Sequence, residues 1–90
     1  MIFYEKGSYI GNGKLTKTIT FSKNIFYFVV VGHGQISEAM KDDSNLYNKS
    51  YSIAFIDMTN NNIEISTDIR GNAQYFNYDG HMYSYFGLVE

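Results

Sequence analysis

Residues 7–34, GSYIGNGKLTKTITFSKNIFYFVVVGHG, join two segments whose hydrophobic patterns differ. In residues 14–21, apolar side chains alternate with lysine and threonine. Side chains repeat every two residues along a strand, so this alternation predicts a strand with one dry and one wet face. Residues 25–31 follow with no polar group except the hydroxyl of Tyr27, which predicts a central strand buried on both faces. We expect the two strands to pair as a hairpin across residues 22–24.

The strand-and-turn pattern continues on both sides of this stretch. Asparagine, aspartate and glycine clusters mark the turns, because these residues accept left-handed backbone angles. Residues 35–48 are more polar: residues 36–40 are compatible with one helical turn, and residues 42–45 are predicted as a loop. The other predicted strands are residues 2–9, 51–57, 63–67, 73–77 and 81–89, with turns at 11–13, 59–62, 68–72 and 79–80.

About seven short strands with regular turn signals are typical of a small antiparallel β-sandwich, with a small barrel as the alternative. The predicted fold class is therefore all-β. A chain of 90 residues has room for one hydrophobic core, so residues 1–90 are expected to form one domain.

Composition excludes several classes of function. The net charge of −2 lacks the basic surface with which nucleic-acid-binding proteins neutralise phosphates. The N-terminal MIFYEKGSY has neither the basic start nor the apolar run of a signal peptide. The longest apolar run, residues 25–31, is far shorter than the roughly 20 residues of a membrane helix. We therefore expect a soluble protein with no nucleic-acid partner and no membrane insertion.

Catalytic and metal-binding patterns are sparse. His33 and His81 are the two imidazoles, and solvent-facing histidines at strand ends are favoured over a zinc or nickel site. The pair Asp42 and Asp43 lacks the alternating ligands of a calcium loop. There is no cysteine, nucleophile elbow or phosphate loop. The chain is therefore predicted to be a non-enzyme without metal or cofactor.

Aromatic residues beside polar loops are the strongest binding signal. Aromatic rings next to amides and carboxylates are typical of saccharide sites, although most sheet tyrosines pack against neighbouring strands. Tyr47 and Tyr78 lie next to loops, so they are favoured as binding residues over the other tyrosines. The candidate ligand-binding residues are Asp42, Asp43, Asn45, Tyr47, Tyr78 and Asp79.

Four segments together resemble distal tail-fibre and receptor-binding domains of phages. They are residues 7–13 (GSYIGNG), 18–21 (TITF), 28–32 (FVVVG) and 77–87 (NYDGHMYSYFG). The resemblance implies a β-sandwich tip that forms a homotrimer, binds a bacterial surface glycan without catalysis and contacts other tail proteins. It also implies a location in the virion tail, after assembly in the host cytoplasm. The chain departs from the family pattern at residues 22–24, where a proline is usual, and the matched positions are scaffold rather than binding residues.

Two other functions are also compatible with the sequence. The chain could be a purely structural assembly or decoration subunit, whose exposed aromatic residues are buried against a protein partner. It could also be a small inhibitor that binds a macromolecular partner through one strand edge or an acidic loop. A large apolar surface patch would favour the structural reading.

Overall fold

The computed structural model describes residues 1–49, 55–66 and 74–90, which form eight strands and one short 3₁₀ helix. The strands are β1 (Phe3–Ile10), β2 (Thr16–Thr20), β3 (Ile25–Gly32), β4 (Gln35–Asp42), β5 (Asn45–Asn48), β6 (Phe55–Thr59), β7 (Asn62–Ser66) and β8 (Met82–Val89). The 3₁₀ helix covers Gln74–Phe76.

The strands form two antiparallel sheets, which confirms the predicted all-β fold. The five-stranded sheet has the order β1-β8-β3-β4-β5, and the three-stranded sheet has the order β2-β7-β6. The core between the sheets is built mainly from aromatic and branched aliphatic side chains. Its fully buried large residues include Phe28, Val30, Ile56, Ile63, Ile65, Phe76, Tyr83 and Val89.

The predicted hairpin between residues 14–21 and 25–31 is wrong. β2 pairs with β7, whereas β3 pairs with β4 and β8, so residues 22–24 carry the chain from one sheet to the other. No residue of this connection has a left-handed backbone, whereas each tight hairpin of the fold has one, at His33, Asp43 or Asn60. The crossing allows the apolar faces of β2 and β3 to oppose each other across the core.

Residues 35–48 form the β4–β5 hairpin, so the predicted helical turn is wrong. Ser37 and Ala39 point inward, while Ile36, Glu38 and Met40 alternate with them on the other face. The two-residue pattern is present, but small residues occupy the buried positions and large ones the exposed positions. The predicted loop at 42–45 is shorter than expected, because Asp42 and Asn45 pair with each other in the sheet.

The strands and turns predicted from residue 51 onward are confirmed in part. The hairpin across residues 59–62 is confirmed, with Thr59 opposite Asn62. The predicted strand at 73–77 is wrong where it is described, because Gln74–Phe76 is a 3₁₀ helix. The predicted turn at 79–80 is present, but it connects this helix to β8 instead of joining two strands. The predictions for residues 51–54, Tyr51 among them, and for residues 67–73 lie outside the described residues.

The central position of β3 is confirmed, but the prediction that both of its faces are buried is wrong. Phe28 and Val30 are fully buried on the inner face, whereas Val31 is 48% exposed on the opposite face. The sequence is apolar on both faces of this strand, yet the second sheet covers one face only.

Candidate interaction surface

We define the outer face as the side of the five-stranded sheet that points away from the three-stranded sheet. Strand register places its side chains in rows that cross the sheet. The first row spans all five strands and contains Tyr4, Leu88, Tyr27, Met40 and Tyr47. The next rows are Lys6, Phe86, Val29 and Glu38; then Ser8, Ser84, Val31 and Ile36; then Ile10 and Met82.

Exposed apolar side chains are concentrated on the outer face. Among the described residues, twelve large hydrophobic side chains are exposed, and eight of them belong to these rows. Scattered single apolar residues are normal on a protein surface, whereas a contiguous apolar patch marks an interaction site. The eight are Tyr4, Ile10, Val31, Ile36, Met40, Tyr47, Met82 and Phe86.

The outer face departs from the usual composition of an antiparallel sheet. Such a sheet commonly has one face on the core and one polar face in water. In β3 and β8, however, the residues that alternate with the buried ones are themselves mostly apolar, as Val29, Val31 and Phe86 illustrate. The sequence therefore specifies two apolar faces for the centre of one sheet, and the described chain covers only one of them.

Opposite charges flank the apolar centre of the second row. Lys6 lies on β1, and Glu38 lies on β4, with Phe86 and Val29 between them. Glu38 accepts a hydrogen bond from the Tyr27 hydroxyl, which lowers the pKa of the carboxyl group and raises that of the phenol. Within the described residues, Lys6 forms no ion pair.

Lys49 adds a second partner to this carboxylate, with Nζ 3.6 Å from an oxygen of Glu38. The contact is solvent-exposed, so it contributes little to stability. Glu38 therefore retains its charge at neutral pH and remains accessible to a partner.

Two shallow grooves cross the outer face. One, of about 340 Å³, combines tyrosine rings with polar groups and is lined mainly by Tyr27, Glu38, Met40, Tyr47, Asn48 and Lys49. The other, of about 350 Å³, is almost wholly apolar and is lined mainly by Lys6, Val29, Val31, Ile36, Ser84 and Phe86. The first groove thus presents both tyrosine rings and charged groups, whereas the second presents almost only apolar side chains.

The six predicted binding residues do not form one site. Asp42, Asp43 and Asn45 surround the β4–β5 turn, and Tyr47 lies nearby on the outer face. The other two, Tyr78 and Asp79, lie at the opposite end of the sheet, beside the start of β8. The length of β4 separates the two ends by roughly 23 Å, at about 3.3 Å per residue.

The end that contains Tyr78 is held by a buried amide. Asn77 is 3% exposed; its Nδ2 donates to Asn12 Oδ1 at 2.6 Å and to the Lys14 carbonyl at 3.0 Å. Its Oδ1 accepts from the Asn12 N–H at 2.9 Å. Gly11 packs directly against the backbone of Asn77 and Tyr78, since a Cβ at Gly11 would lie 2.0 Å from the Tyr78 carbonyl oxygen. Two of the segments quoted for the tail-fibre resemblance therefore pack against each other as scaffold.

This end also brings the two histidines together. The Nδ1 atoms of His33 and His81 are 3.1 Å apart, and the ring of Tyr78 lies 4.5 Å from that of His33, centroid to centroid. Sequence reasoning placed both histidines correctly at exposed strand ends but missed their contact. No local signal could have found it, because the residues are 48 positions apart and meet only through the β3–β8 pairing.

Within residues 1–49, 55–66 and 74–90, no helix is both long and apolar enough to cross a bilayer. Comparison of the chain with protein-family models, curated proteins and solved structures finds no match in any of the three.

Proposed function

We propose that this chain is a non-catalytic structural subunit that assembles with a second copy of itself through the outer face. The concentration of exposed apolar side chains on that one sheet face carries the proposal. Burial of apolar surface contributes about 25 cal/mol for each Å² removed from water, so a covered outer face would be strongly favoured over a wet one. A small domain without cysteine also gains stability from association.

The size of the outer face suits a modest interface. Five strands about 4.8 Å apart, most of them eight residues long, give a face of roughly 500–600 Å². Two such faces bury at most roughly 1,000–1,200 Å² in total, which is at the lower end of specific interfaces. We therefore expect reversible association at micromolar concentrations instead of a permanent complex.

The charges of the second row favour two-fold symmetry. A two-fold axis parallel to the strands, between β8 and β3, places β1 of one copy over β4 of the other. Lys6 then faces Glu38 of the partner twice, and Phe86 faces Val29. This self-complementarity is the property of an isologous dimer. The homotrimer implied by the tail-fibre resemblance would instead require two different contact patches on each copy.

Sedimentation velocity over a wide range of concentration tests the proposal. The wild-type protein should shift from monomer to dimer, and Phe86→Lys should remain monomeric, because it places an unpaired charge at the centre of the interface. Leu15→Lys is the matched control, since Leu15 is 68% exposed but lies outside the outer face. A wild-type protein that stays monomeric at every concentration would contradict the proposal, and a trimer would contradict its two-fold geometry.

Charge variants test the symmetry more closely. Lys6→Glu and Glu38→Lys should each weaken dimerisation at least tenfold, because like charges then face each other twice. The double swap should restore much of the affinity. Glu64→Lys, on an exposed position of the three-stranded sheet, should leave dimerisation unchanged. Equal effects of all these variants would indicate a general charge effect instead of the proposed pairing.

A second candidate function is binding of a saccharide in the groove of Tyr27 and Tyr47. It is favoured by the two rings with Glu38 and Lys49 beside them, and it agrees with the receptor-binding role that the resemblance implies. Binding to a glycan array, lost in Tyr47→Ala and retained in Tyr78→Ala, would support it. Binding that is absent, or lost equally in both variants, would remove it.

A further inference from the structure

The histidine pair lies at one end of the five-stranded sheet, beside the outer-face row of Ile10 and Met82, and has a geometry of its own. The rings of His33 and His81 are perpendicular, with their centroids 4.5 Å apart and their Nδ1 atoms at 3.1 Å. Both residues are exposed. In this arrangement one imidazole donates its Nδ1–H and the other accepts.

We propose that His33 and His81 form a binding site for a divalent transition metal ion, with both Nδ1 atoms as ligands. Two nitrogens that each lie about 2.0–2.1 Å from one metal are about 2.9 Å apart at a right angle and about 3.4 Å apart at the tetrahedral angle. The observed 3.1 Å lies between these values. One metal ion can therefore bind both nitrogens once each ring turns so that its Nδ1 lone pair points at the metal and no longer at the other ring.

The backbone fixes the positions from which the two rings project. His33 and Gly34 form the two-residue turn between β3 and β4, with φ angles of 53° and 74°. A left-handed histidine is uncommon, and Asn-Gly is the usual sequence of such a turn. The backbone of His81 is held on both sides: its N–H donates to the Tyr78 carbonyl at 3.1 Å, and its carbonyl accepts from Gly11 at 2.8 Å.

Metal binding requires a change of tautomer but no net release of a proton when both rings are neutral. The ring that donates through Nδ1 moves its proton to Nε2 by exchange with water, and both Nδ1 lone pairs then face the metal. Among the described residues, no group of three or more His, Asp or Glu side chains could hold a metal, so water completes the coordination. Imidazole ligands and open positions suit Cu²⁺, Ni²⁺ and Zn²⁺, with Cu²⁺ bound most tightly.

Calorimetric titration of the untagged chain with Cu²⁺, Ni²⁺ and Zn²⁺ tests the site cleanly, because the chain has two histidines and no cysteine. We expect one equivalent of metal per chain. His33→Asn and His81→Asn should each lower the affinity at least tenfold, since even the loss of an outer-shell partner typically costs 10–100-fold. Asn at position 33 retains the turn preference, and Asp43→Asn, in the corresponding turn of the β4–β5 hairpin, is the matched control.

Nitrogen-15 NMR of the wild-type imidazoles provides a readout that does not depend on any variant. Addition of Zn²⁺ should shift the Nδ1 resonances of both histidines together and leave the amides of Tyr4, Tyr27 and Tyr47, at the other end of the outer face, unchanged. The proposal is overturned if no saturable binding occurs, if only one ring responds, or if the two histidine variants bind as the wild-type protein does. None of these results decides whether the chain forms the proposed dimer, because dimerisation is measured separately by sedimentation.

Discussion

Asn77 offers the sharpest test of how the two ends of the chain are joined. Its side chain makes three good hydrogen bonds to Asn12 and Lys14, at 2.6, 2.9 and 3.0 Å. Each such bond contributes about 0.5–1.5 kcal/mol net. Because Asn12 and Lys14 are exposed, water can replace part of what is lost. We therefore expect Asn77→Ala to lower the free energy of unfolding by about 2 kcal/mol, and Tm by roughly 8–16 °C.

Urea denaturation at fixed protein concentration, followed by far-ultraviolet circular dichroism, measures this change. Asn45→Ala is the matched control, because Asn45 is an exposed asparagine at a strand end, and it should change stability by less than about 0.5 kcal/mol. An Asn77→Ala protein within that same margin of the wild type would refute the reasoning.

Asn77→Asp adds a pH signature. It preserves the acceptor for the Asn12 N–H but places a buried carboxylate against two acceptor oxygens, which raises the pKa of the new carboxyl group. Its deficit relative to wild type should therefore shrink as the pH falls below that raised pKa. A deficit that is constant or grows on acidification would contradict this assignment.

Three further perturbations have defined outcomes. Gly87→Ala should lower the free energy of unfolding measured in urea by about 1–3 kcal/mol, because the added Cβ would lie 2.4 Å from Ile25 Cδ1. An unchanged urea midpoint would show instead that Ile25 moves aside without cost. Phe28→Ala should cost about 3–5 kcal/mol, since Phe28 is fully buried between the sheets; a loss below about 1 kcal/mol would contradict its central position. Burial raises the pKa of Tyr9 and Tyr83, so their contribution to stability is present below the ordinary value of about 10 and is lost as pH rises above it. The urea midpoint should thus fall in alkali, and less steeply in Tyr9→Phe; a midpoint that is flat to pH 12 would contradict this.

Hydrophobic periodicity was sufficient to predict the fold class and most strand positions. The alternation in residues 16–21 and 63–66 reflects one buried face, as the burial of Ile19, Ile63 and Ile65 confirms, whereas Leu15 precedes β2 and is 68% exposed. Periodicity failed for residues 36–40, where the buried positions hold the small residues Ser37 and Ala39. A pattern that assigns large apolar residues to the core cannot identify such a strand.

Non-local strand pairing could not be predicted from the sequence, although the local hairpin of β6 and β7 was. Adjacent apolar strands usually form a hairpin, yet β2 and β3 belong to different sheets, and no residue of their connection has a left-handed backbone. The contact of His33 with His81 and the network of Asn77 both depend on this non-local pairing. The apolar run of residues 25–31 supplies part of the outer face. An apolar run in the sequence does not show whether that face is covered by the same chain or by a second one.

The central claim is that two copies pair through their outer faces about a two-fold axis. Mixing Lys6→Glu protein with Glu38→Lys protein tests it most directly, because only the mixed pair brings opposite charges together at both contacts. Each variant alone should sediment as a monomer, whereas their equimolar mixture should form a heterodimer at the same total concentration. A mixture that sediments as the monomers do, when wild-type protein at that concentration is dimeric, would contradict it.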